Sequence, residues 1–156
     1  GGGSNSIGYW IYVNGTSAES NSGNVCPIGN TLPTATHFQT DSDSAVRHEN
    51  CIAFLFSSVD GISKVGSFEG TGSDLTITLG FQPRFVLIKD IDGTASWHLF
   101  DTVRGITSGN DKVLLLNDHD AQIDEDRIDL TSDGMTLHGM GSTNENNHTF
   151  IYYAHS

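Results

Sequence analysis

The sequence is short of positive charge: Lys and Arg number 7 against 19 Asp and Glu, for a formal net charge of −12. That balance excludes a basic nucleic-acid footprint, so no nucleic-acid partner is expected. Cysteine is scarce too, with only Cys26 and Cys51. Two are too few for a disulfide framework, and they leave both their pairing and the redox compartment open. Apolar runs are short. Phe85–Ile88 and Val113–Leu116 hold four residues each, far below the roughly 20 that a membrane span requires, so no membrane insertion is expected. No signal peptide stands out. Charged residues make up 17%, less than the roughly 25% of ordinary soluble domains. No window carries a helical apolar period, although Ile123–Ile128 has room for one short turn.

What remains favours strands. Leu, Ile, Val and Phe supply 39 of the 156 residues, enough for a packed core. Gly, Ser, Thr and Asn supply 61, the residues of turns, short strands and neutral polar surface. The chain begins Gly-Gly-Gly-Ser-Asn-Ser without an initiator Met, and residues 1–6 are expected to be linker or a flexible N-terminus.

Comparison of the chain with itself gives one offset. Phe38–Phe56 set against Leu137–His155 pairs Phe38 with Leu137, Ile52 with Ile151, and Phe54 with Tyr153, and both windows run through a polar loop into a short apolar segment. Residues 7–58 therefore read as a partial β-repeat and residues 59–156 as a complete one.

Within 59–156 the strand signals are regular. Leu75, Ile77 and Leu79 alternate with Thr76 and Thr78, the period of a half-buried strand. Pro83 precedes the continuous run Phe85-Val86-Leu87-Ile88, which reads as a strand buried on both faces. Further strands are expected over 63–68, 97–100, 112–117, 128–130, 135–138 and 149–153, with turns at 70–74, 90–96 and 132–134. Strands at near ten-residue spacing indicate an all-β fold, an antiparallel β-sandwich of jelly-roll or lectin-like type.

The ordered blocks GISKVGSFEGTG, LGFQPRFVLIKD, SWHLFDTVRG, SDGMTL and HTFIYYA resemble a repeat domain of bacteriophage tail and virion-surface proteins, notably those of marine cyanophages. Every block matches in order over residues 61–156; in the first unit only Cys51–Phe56 resembles the closing strand. The resemblance implies a β-sandwich structural domain at a virion surface, hence extracellular, in tail fibre, tail tip or capsid decoration. It implies no defined ligand and no enzyme activity. Self-association or other virion proteins are the partners this suggests, with a host surface glycan as the alternative and a glycan-cleaving enzyme as a third reading.

Several residues carry candidate chemistry. Asp101 and Arg104, three apart before Gly105, can form a structural clamp across a tight turn. Asp118, Asp120, Asp124 and Asp126 offer several oxygen ligands from one acidic stretch and could hold Ca2+, although the spacing departs from the EF-hand and a solvated acidic loop explains it as well. No other cofactor is implied. The seven histidines show no metal-ligand spacing. For sugar binding, an aromatic face beside polar groups is needed. Trp10, Trp97 and His98 are the candidates, with Tyr9 and Tyr12 near the first of them. Glu69, Asp74 and Asp101 are formal candidates for a cleavage pair, but their turn positions favour solvated roles. Nucleophile motifs are absent, so no catalytic residue is assigned.

Overall fold

A computed structural model describes residues 9–21, 34–37 and 52–156. Residues 1–6, Cys26, Cys51 and residues 38–51 of the repeat window lie outside the described residues. The chain divides into two compact units, one of Gly1–Ile11 with Glu19–Leu55 and the other of Tyr12–Ala18 with Phe56–Ser156. In the first unit β1 (Tyr9–Trp10) pairs antiparallel with β2 (Ser20–Asn21). Ile52–Leu55, read from sequence as part of a closing strand, belong to no strand. The corresponding strand of the second unit lies between two neighbours, and residues 52–55 have none among the described residues to complete their backbone hydrogen bonds.

The second unit is an antiparallel sandwich of two sheets. Its strands are β3 (Ser63–Glu69), β4 (Leu75–Thr78), β5 (Phe85–Asp90), β6 (His98–Asp101), β7 (Asp111–Leu115), β8 (Ile123–Glu125), β9 (Ile128–Thr131), β10 (Gly134–Leu137) and β11 (Thr149–His155). One sheet has the order β3-β11-β5-β6-β7-β8, the other β4-β10-β9. β11 lies between β3 and β5, with Tyr152 opposite both Gly66 and Ile88. Alternation decides which side chains reach the core. Val86, Ile88, Phe100, Val113, Phe150 and Ala154 from the larger sheet meet Ile128, Met135 and Leu137 from the smaller, all fully buried.

The expected run Phe85–Ile88 is one-sided: Val86 and Ile88 are buried, whereas Phe85 and Leu87 are half-buried on the opposite face. The 123–128 window forms β8 and the start of β9 instead of a helical turn. A carboxylate of the neighbouring strand β7 explains the choice, because Asp111 Oδ2 accepts the backbone N–H groups of Arg127 and Ile128, each at 2.8 Å, and holds the segment extended. The one helical turn among the described residues falls at Gly141–Asn144, where no apolar period marks it.

Two buried cations complete the unit. Lys89 is fully buried on the outer face of the larger sheet, where its Nζ donates to Asp90 O at 2.6 Å and Thr16 O at 3.3 Å. Burial lowers its pKa, opposed by the neighbouring Asp90. Arg127 reaches from the β8–β9 corner to Glu125 and to Ser142 Oγ.

Candidate functional site

The residues singled out in sequence part company in the fold. Trp97 is 8% exposed; its Nε1 donates to Tyr12 O at 2.9 Å and its backbone N–H to Asn117 Oδ1 at 2.8 Å. His98 is 3% exposed. Neither ring offers a face on which a sugar could stack, which corrects the expectation for both: their block anchors the core. Trp10 lies half-buried in β1 of the first unit.

The four carboxylates of the acidic stretch do not converge. Asp118 and Asp120 are grouped with His119 on an exposed turn. Asp124 pairs with Lys112 Nζ at 2.5 Å, and Asp126 approaches His138 Nε2 at 3.6 Å. A shared Ca2+ site of all four is therefore corrected to three separate surroundings, because β8 carries Asp124 onto the larger sheet and away from the 118–120 turn.

Asp101 and Arg104 do meet. Asp101 Oδ1 accepts the N–H groups of Val103 at 3.0 Å and Arg104 at 2.8 Å, while its Oδ2 pairs with the Arg104 guanidinium. Gly105 follows at φ 126°, donates to Asp101 O at 3.1 Å and accepts from Lys112 N at 3.0 Å. Only glycine takes that backbone conformation without strain. The turn sets Asp101, Thr102, Val103 and Arg104 along one wall of a groove of about 630 Å³, whose other wall carries Arg84, Phe85, His155 and Ser156. Strand register brings these together: Phe85 lies opposite both Asp101 and His155. Backbone bonds from Arg84 N to His155 O, 2.8 Å, and from Thr102 N to Arg84 O, 3.0 Å, tie the three strand ends.

Aromatic rings floor this end of the sheet. Phe85 and His155 stack with centroids 5.1 Å apart and planes at 9°. Tyr153 lies 6.1 Å from Phe85 and 4.7 Å from Phe56.

Sequence reasoning missed two further clusters. Asp90, 1% exposed, uses Oδ1 to accept Asp92 N and Gly93 N and places Oδ2 at 2.9 Å from His148 Nδ1, with Glu145 Oε2 at 3.9 Å from the same nitrogen. Asp90, Glu145 and His148 are a set that could hold a metal ion. The spacing of Glu145 and His148 is a weak signal that could have prompted a search for a third member. In the second cluster His138 Nδ1 sits 3.0 Å from Asp74 Oδ1, while its Nε2 faces Asp129 at 3.4 Å and Asp126 at 3.6 Å.

A family model described as Domain of unknown function (DUF7483) matches residues 3–156. The chain belongs to the DUF7483 family. No curated protein and no solved structure matches it. The family match spans both compact units, so the residues of the groove and those of the first unit fall within one DUF7483 match.

In this DUF7483 chain the histidine clusters set a pH dependence. The side-chain hydrogen bond to Asp74 raises the pKa of His138, aided by Asp126 and Asp129; that to Asp90 raises His148, aided by Glu145 and Asp92. The folded state then holds protons that the unfolded chain has released, and the resulting stability is lost as pH rises through the folded pKa values. Burial acts oppositely on His98 and lowers it to about 4. Between that value and the ordinary 6.5 the unfolded chain binds the extra proton, so stability falls as pH drops. Urea unfolding across about pH 4–8 should therefore show a maximum near the ordinary histidine pKa. His138→Gln should flatten the alkaline side and leave the acid side in place. A monotonic profile in the unsubstituted protein would contradict the assignment.

Proposed function

We propose that this chain is a non-enzymatic structural domain of a virion surface, a tail-fibre, tail-tip or capsid-decoration element that works by self-association and by touching the host coat. One observation carries the reading: Ile52, Phe54 and Leu55 are 83%, 79% and 77% exposed. Consecutive large apolar side chains left in water mark a protein interface, and burying them against a second copy gains about 1.5–3 kcal/mol for each side chain. The blocks resembling phage surface repeats, over residues 61–156, support the same setting. Low charge density and many Ser, Thr, Asn and Gly side chains suit close packing of copies, since neutral polar surface is cheaper to desolvate than ions.

Light scattering on a size-exclusion column tests this directly. The protein should elute as an oligomer, and the pair Ile52→Ser with Phe54→Ser should elute as a folded monomer. A monomer at every concentration for the unsubstituted chain would end the reading, as would an oligomer indifferent to both substitutions.

A second reading, contact with a glycan, is favoured by the groove between Arg84 and Arg104. The aromatics first considered for it are buried or lie elsewhere, but Phe85 and His155 supply the ring surface that such a site needs.

A further inference from the structure

The chain has seven Lys and Arg in all, and two of them, Arg84 and Arg104, line a single groove. In a protein of net charge −12 this gathers two of its few cations on one groove, and the donors concerned are underused. The Arg84 side chain is exposed, and its guanidinium has no hydrogen bond or ion pair among the described residues. Arg104 meets Asp101 through Nη2, while its Nε is shielded from solvent and has no acceptor. Asp101, the one acidic side chain lining the groove, is already engaged by Arg104 and by two backbone N–H groups. An anion entering the groove therefore meets a carboxylate whose charge is already compensated and a guanidinium with all its donors available.

The remaining walls select among anions. Phe85 and His155 stack with nearly parallel planes, Val103 stands 87% exposed at the rim, and Thr102 also lines the groove. A ring-shaped ligand with one apolar face and several hydroxyls fits those surfaces better than a bare inorganic ion. The field of the whole molecule works against dense polyanions, since a net charge of this sign repels them at long range. A ligand with one charge per ring is the better match.

We infer that this groove binds a carboxylate-bearing sugar, its carboxylate on the Arg84 guanidinium, its ring against Phe85 and His155, and its hydroxyls toward Thr102 and Asp101. The inference deepens the host-contact part of the proposed function by naming a ligand class, and it requires nothing of the self-association part.

Calorimetric titration with galacturonic acid trimer, neutral galactose trimer and a sulfated galactose trimer tests it. The carboxylated trimer should bind at least about tenfold more tightly than the neutral one, the loss expected when a charged hydrogen-bonded pair is removed. Arg84→Gln should erase that preference without changing the melting temperature, because the Arg84 side chain is exposed. Equal affinity for the neutral trimer, tighter binding of the sulfated trimer, unaltered binding by Arg84→Gln, or no heat with the carboxylated trimer would each overturn the inference. Repeating the titration on the Ile52→Ser, Phe54→Ser protein separates the two proposals: sugar binding that persists in a monomer stands apart from the assembly reading, and oligomers that ignore the sugar leave assembly untouched.

Discussion

Replacing Gly134 with Ala should destabilise the protein by about 3 kcal/mol or more, the upper range for forcing extra volume into a packed interior. A Cβ at this position would come within 2.1 Å of Ile77 O and 3.1 Å of Thr78 Cα. Both are backbone atoms of β4, so no rotamer change relieves the clash. Gly134 lies opposite Thr78 on one side and Thr131 on the other, and Asp133 O just before it accepts from Leu79 N and Gly80 N. The added methyl must therefore push the central strand of the three-stranded sheet away from its edge. Thermal or urea unfolding measures the loss. A change under about 1 kcal/mol would show that the β4–β10 pair yields at little cost, and that the packing described here is looser than its distances indicate.

The second large effect belongs to Asn144. Its amide is fully buried at the end of the helical turn. Oδ1 accepts Thr71 N at 2.9 Å, and Nδ2 donates to Ser73 O at 2.6 Å with His138 O at 3.3 Å and Leu137 O at 3.5 Å nearby. One side chain thus ties the β3–β4 turn to the end of β10. Truncation to Ala leaves Thr71 N and Ser73 O without that partner, each orphaned group costing about 1–3 kcal/mol. A total loss of about 3 kcal/mol is expected on unfolding. Asn144→Asp is the more telling variant. It keeps the acceptor for Thr71 N but sets a carboxylate against carbonyl oxygens, so it should be no milder than the alanine change at neutral pH and should recover as the pH is lowered.

Much of the sandwich was legible because its signals are local. Leu75, Ile77 and Leu79 alternate, Asp133-Gly134 turns the chain, and β3, β5, β7 and β9–β11 fall within a few residues of their expected positions. What local pattern cannot supply is register. Arg84, Arg104 and His155 become one groove only because Phe85 pairs with both Asp101 and His155, and neither pairing can be read from either segment alone. The same gap hid the meeting of Asp90 with His148, 58 positions apart in sequence. Conversely, the acidic stretch looked like one ligand set because its members are close in sequence, whereas a strand turned Asp124 toward Lys112. Trp97 was misjudged for a different reason: aromatic type does not reveal burial, and this indole spends its N–H on the Tyr12 carbonyl.

The place of β11 has a consequence for synthesis. The strand made last among those described is the one that fills the gap between β3 and β5. While the ribosome is still making the intervening residues, both flanking strands present bare edges, and the larger sheet cannot close around its core until residues 149–155 have emerged. Nascent chains of this protein therefore stay open to chaperones, and to mispairing with one another, until that strand has been made.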